Sequence, residues 1–106
     1  EEGKGVEQDF EEARGFYRKA CAMDEVQGCH NLGLMDEAGK GTEPNPGKAA
    51  DQFMLACEKG NHYSCAYLGA KWAQTDDKRD FGLQLLERAC EGGDDFGCKE
   101  LKKAKK

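Results

Sequence analysis

Six cysteines fall into three pairs, Cys21/Cys29, Cys57/Cys65 and Cys90/Cys98, each with the same eight-position separation. The pairs recur at intervals of 36 and then 33 positions. A fixed period of that length marks a repeat array, in which each unit buries its apolar face by stacking on the next.

The repetition extends well beyond cysteine. A shift of 36 places Gly3-Lys4-Gly5 on Gly39-Lys40-Gly41, Ala13 on Ala49 and Tyr17 on Phe53. The same shift places Ala20-Cys21 on Ala56-Cys57, Cys29 on Cys65, and Leu32-Gly33 on Leu68-Gly69. A third copy follows at a shift of 33, with Leu86, Ala89-Cys90, Cys98 and Leu101 in the matching places. In that copy Gln74-Thr75-Asp76 replaces the glycine turn.

Each copy reads as two helices, and nothing alternates with period two over a useful length. Asp9 and Glu12 have capping-box spacing, followed by Ala13, Tyr17, Ala20 and Cys21 at helical intervals. Asp24 with Gln27 three residues later predicts the next helix start. Asn45-Pro46 is a cap followed by a first-turn proline. Gly60-Asn61 and Gly93-Asp94 each end one helix and cap the next. Asp76-Asp77 and Asp94-Asp95 are likewise read as helix starts. The helices are predicted over about 10–22, 26–38, 46–59, 62–73, 78–91 and 95–104.

The expected fold is therefore all-α, an α/α superhelix (solenoid) of antiparallel helix pairs. Residues 1–106 form a single repeat domain, with 1–8 as the remnant loop of a preceding repeat. Repeats follow at 9–45, 46–76 and 77–106, the last with a polar capping helix. Because the chain opens on a Gly-x-Gly loop with no helix pair before it, at least one further repeat is expected upstream.

The first cysteine of each pair ends one helix and the second lies a turn into the next. The two side chains should therefore meet across the hairpin. Local pairing is favoured among the fifteen connectivities that six cysteines allow. The rival readings are metal ligation and free redox thiols. Zinc sites use ligands two to four residues apart, and His30 and His62 do not fall at equivalent places. One disulfide per repeat is expected, with no metal and no cofactor. That in turn implies an oxidising compartment.

The net charge of −5 is uneven: the last eight residues carry +4 and the other 98 carry −9. An acidic body argues against nucleic acid as a partner. No apolar run approaches the ~20 residues needed to cross a bilayer, so no membrane insertion is expected.

Tyr17-Arg18-Lys19-Ala20-Cys21, Cys29-His30-Asn31-Leu32-Gly33 and Gly39-Lys40-Gly41-Thr42 resemble the Sel-one-like repeat, a relative of the tetratricopeptide repeat. The cysteine pair in every copy is similar to the cysteine-rich branch of that family. That branch includes secreted bacterial proteins, the Helicobacter cysteine-rich proteins among them, and a mitochondrial intermembrane-space assembly factor. There are departures: Asp36 stands where the family has an aromatic, a place Trp72 fills in the second copy, and Lys102 replaces the glycine of the third.

The resemblance implies β-lactam binding or hydrolysis, as claimed for some cysteine-rich members. A serine mechanism would need a nucleophile followed by Lys three residues on. The one serine, Ser64, has Tyr67 there, K-T-G is absent, and two histidines are too few for a zinc lactamase. No catalytic residue and no enzyme activity are expected. Gly39-Lys40-Gly41 lacks the Ser or Thr of a phosphate loop and reads as a positive-φ turn.

The resemblance also implies a concave groove that takes a protein or peptide. Candidate contacts are His30, Leu34 and Glu37, then Tyr63, Ala66, Ala70 and Ala73, then Phe96, Lys99 and Lys103. Both histidines are read as surface or groove residues, with Tyr63 and Phe96 as anchors. The leading expectation is a monomeric protein-interaction scaffold, periplasmic or secreted from a bacterium. The alternatives are the mitochondrial intermembrane space, aiding respiratory-complex assembly, and a β-lactam-handling hydrolase.

Overall fold

The computed structural model describes the backbone of residues 2–105 and the side chains of residues 8–105. Six α-helices follow one another: α1 (Glu2–Ala22), α2 (Val26–Ala38), α3 (Pro46–Glu58), α4 (His62–Trp72), α5 (Arg79–Glu91) and α6 (Asp95–Ala104). A single 3-10 turn, Asp76–Lys78, leads into α5, and no strand occurs among the described residues. The all-α reading holds, and five of the six helices start within a residue of the predicted position.

Helix α1 is the exception. It begins at Glu2 and runs through Gly3-Lys4-Gly5 and Asp9, where a loop and a capping box were expected. Glycine permits a turn without compelling one, and the surrounding Glu, Lys and Gln are good helix formers. At the matching place in the next copy, Gly39 and Gly41 take left-handed φ values of 76° and 75°. There the turn is held shut by Pro44, whose Cγ lies 2.6 Å from where a β-carbon on Gly39 would be.

The predicted caps mostly stand. The side chain of Asn45 accepts from the Lys48 amide, Asn61 from Ser64, and Asp94 from Gly97. Asp24 does not cap α2. Glu25 holds that position and makes no side-chain cap bond. Asp24 instead occupies the left-handed region at φ 66°, where the other copies have Gly60 (110°) and Gly93 (94°). Aspartate tolerates this region better than most residues. Its carboxylate accepts from Lys59 Nζ at 2.6 Å, and the same ammonium donates to the Cys21 carbonyl at 3.2 Å.

The chain forms two compact units, one ending at Lys59 and one beginning at Gly60. In the first, α2 packs against both α1 and α3 around Leu32, Met35, Ala49 and Phe53. In the second, α4 packs against both α5 and α6 around Leu68, Leu85, Leu86 and Ala89. Fully burying a side chain such as Phe53 or Leu86 contributes roughly 1.5–3 kcal/mol.

The repeat logic is visible in its glycines. A β-carbon on Gly33 would come within 2.7 Å of the Phe53 ring, and one on Gly69 within 3.1 Å of Leu86. Phe53 and Leu86 are 33 positions apart, so both copies seat a large side chain of the following helix on the Leu-Gly glycine. Smaller seats lie beside the staples. Gly28 lets Ala20 approach across the α1–α2 hairpin, and Gly97 does the same for Ala89 across α5–α6.

Disulfides join Cys21 to Cys29 and Cys90 to Cys98, with Cα–Cα distances of 4.7 and 4.5 Å. Cys57 and Cys65 are disulfide-bonded too, and no described cysteine is free. Bound in this way the sulfurs are not available as metal ligands. Each local loop spans about nine residues, for which chain entropy assigns roughly 2.5 kcal/mol.

Candidate partner-binding surface

In the second unit, α4 and α6 lie side by side and share one face. Tyr63, Tyr67, Ala70 and Lys71 recur at helical spacing on α4, as do Phe96, Lys99 and Lys103 on α6. Tyr63 and Phe96 bring their rings to 5.6 Å, and Tyr67 lies 6.2 Å from Tyr63. Tyr63 is 45% exposed, one of few large apolar side chains so open to solvent. The Lys71 ammonium sits 5.1 Å from the Tyr67 ring centre, a cation–π distance.

This face continues into a cleft of about 610 Å³ bordered by Ala70, Ala73, Leu86, Arg79, Glu100 and Lys103. Arg79 fixes its end wall. One guanidinium nitrogen donates to the Ala73 carbonyl at 3.0 Å and another to Ala104 at 2.6 Å. Both acceptors are carbonyls at helix C-termini, where a cation is favoured. Lys103 pairs with Glu100 at 3.1 Å, and Lys99 is exposed.

In the first unit, Leu34 and Glu37 line a smaller cleft of about 330 Å³ with Tyr17, Asn31 and Lys40. These two expected contact residues are half-buried and offer partial surface.

Three expected contacts fall elsewhere. His30 is 3% exposed and packs on Phe53 at 5.0 Å between ring centres. Ala66 is fully buried, and Ala73, at the cleft edge, is buried as well. Helices α2 and α4 each pack on two neighbours within their unit, so a wider arc is covered than one apolar stripe implies. His62 is half-buried, its ring within 2.6 Å of where a Gly92 β-carbon would be. Burial holds the His30 pKa below the ordinary 6.5 by disfavouring the imidazolium, with the nearby Glu37 charge opposing.

Ser64 has a structural explanation. It occupies the repeat position filled by Gly28 and Gly97, immediately before the second cysteine, and it is fully buried. A small residue is what that place requires.

Two features escaped the sequence reading. Arg79 gave no signal, because its acceptors are backbone groups brought together only by folding. The other is a buried ion pair, Arg14 Nη1 to Asp36 Oδ1 at 2.9 Å, with side chains 9% and 1% exposed. That nitrogen and both Asp36 oxygens lack a well-directed hydrogen bond among the described residues. Asp36 stood out as a departure, but its partner lies 22 positions away with no pattern to reveal it.

Successive α-helices with disulfides closing the α1–α2 and α5–α6 hairpins define a disulfide-bonded helical-repeat class of protein. The Sel1 repeat profile matches residues 1–25, 26–61 and 62–94, and the chain belongs to the Sel1 repeat family. From residue 26 that profile pairs α2 with α3 and α4 with α5, one helix out of phase with the hairpins closed by Cys21–Cys29 and Cys90–Cys98.

Among curated relatives, cytochrome c oxidase assembly factor 7 of Xenopus tropicalis is 29% identical over 103 residues, 89% of this chain and 45% of that protein. The Mus musculus protein of the same name is 36% identical over 76 residues, 66% of this chain and 33% of the relative. HcpC of Helicobacter pylori, whose β-lactamase designation is itself provisional, is 46% identical over 39 residues, 37% of this chain and 13% of that protein. The chain thus spans less than half the length of the relatives it matches.

Proposed function

We propose that this protein is a non-catalytic scaffold that holds another protein or a peptide on the α4/α6 face while working in an oxidising compartment. The observation that carries the reading is the Tyr63–Phe96 aromatic pair at 5.6 Å, partly open to solvent beside a cleft. Rigid aromatics supply contact area at low entropic cost and dominate interface hot spots. The resemblance to the cysteine-rich branch implies either a bacterial periplasmic or secreted setting or the mitochondrial intermembrane space. Similarity to an assembly factor over 89% of the chain, against 37% for HcpC, favours the mitochondrial one. There the bound partner would be a subunit or helper of cytochrome c oxidase assembly.

The test is site-specific photocrosslinking in intermembrane-space and periplasmic extracts, with the probe at Tyr63 or, as a control, at exposed Arg88 on α5. The reading expects one discrete adduct from position 63, suppressed by Phe96→Ala and unchanged by Ser64→Ala. Equal labelling from both positions, or turnover of a chromogenic cephalosporin that Ser64→Ala abolishes, would remove it.

A further inference from the structure

We infer that the α4/α6 face selects an acidic peptide segment carrying an aromatic or aliphatic anchor. This rests on the scaffold reading above and adds the chemistry of the partner. Three ammonium groups share the face with the aromatics: Lys71 over the Tyr67 ring, Lys99, and Lys103. Two carboxylates border the adjoining cleft, Glu100 on α6 and Asp76 before α5, and Lys103 already engages Glu100 at 3.1 Å. The 98 residues before the final eight carry −9, so the cationic face is an exception on an acidic molecule. Such a patch draws a partner of opposite charge and speeds its encounter.

The aromatic end and the cationic end divide the work. Tyr63 and Phe96 form a partly exposed aromatic pair that an anchor side chain would cover, excluding water from it. Lys99 and Lys103, one and two turns further along α6 from Phe96, lie where flanking carboxylates of the same segment would fall. Stacked aromatics with lysines also suit single-stranded nucleic acid in general. Here the cationic strip is confined to two short helices, and the surrounding acidity repels a phosphate chain running beyond it.

The probe is a short fluorescein-labelled peptide with Asp and Glu flanking a central Leu-Phe pair. Comparators are its Lys-substituted twin, a version with Ser at the apolar pair, and a single-stranded oligonucleotide. All are titrated by anisotropy against the full disulfide-bonded chain. The acidic peptide should bind, weaken with added salt, and lose about tenfold or more in affinity on Lys99→Glu with Lys103→Glu. Phe96→Ala should weaken it comparably, with the native helical spectrum retained. Equal or tighter binding of the basic twin or the oligonucleotide, or no response to charge reversal, overturns the inference. If crosslinking from position 63 survives charge reversal, the partner's acidity is disproved and the scaffold reading stands. If position 63 gives no discrete adduct even with Lys99 and Lys103 intact, both fall.

Discussion

Gly33 and Phe53 are in contact so close that a β-carbon on the glycine would lie 2.7 Å from Cε1 of the ring. The pair joins α2 to α3 in the first unit, and Gly69 repeats the role toward Leu86 in the second. Gly33→Ala should therefore destabilise by about 1–3 kcal/mol through overpacking. Gly15→Ala, in α1 with nothing within 4 Å of the new carbon, should instead stabilise by about 0.5–1 kcal/mol. Denaturant midpoints of the two variants should move in opposite directions, and a shared direction would contradict the seat.

The Arg14–Asp36 pair is buried and poorly hydrogen-bonded, so removing one partner leaves an uncompensated charge. Asp36→Ala should cost about 3–5 kcal/mol. The equivalent sequence positions one repeat later are Ala50 and Trp72, so each of these places in the repeat accepts an apolar residue. Arg14→Met with Asp36→Leu should accordingly be more stable than Asp36→Ala alone. A double variant weaker than the single one would show that the charges themselves stabilise.

His30 gives stability a pH dependence of defined sign. The folded protein keeps this ring neutral below the pH at which the unfolded chain protonates it. The unfolded state therefore binds more protons once pH falls below about 6.5. Stability should decline as pH drops from there and level off below the lowered folded value. His30→Gln should flatten that part of the profile in urea denaturation between pH 8 and 5. An unchanged slope would assign it to other groups.

The staples differ in access. Cys21 and Cys29 are 6% and 0% exposed, whereas Cys90 and Cys98 are partly open. Thiol exchange requires the attacking thiolate to reach sulfur, so limiting reductant should open Cys90–Cys98 first. Timed alkylation followed by peptide mass analysis reads the order directly. Earlier labelling of Cys21 and Cys29 would refute it.

Local signals carried most of the architecture. The cysteine period, the Asn45, Asn61 and Asp94 caps and the Gly39–Gly41 turn are each written within a few residues, and they set every helix except the start of α1 to within a residue or two of where it lies. What the sequence hid depends on residues far apart in the chain. The burial of His30 follows from Phe53, and the role of Asp36 follows from Arg14. Asp24 became visible only once the shift of 36 was read against φ, as the aspartate in a glycine's place. For the candidate face, Tyr63, Phe96, Lys99 and Lys103 were legible, while Arg79 and Glu100 needed the cleft itself.

The dependence of the fold on its staples is tested most directly by thermal melting with and without excess reductant, with reduction confirmed by intact mass. Three loops of this size contribute about 7.5 kcal/mol against a typical net stability of about 5–15. The reduced chain should melt at a far lower temperature or be unfolded at the outset. Superimposable melting curves for oxidised and fully reduced protein would contradict the claim.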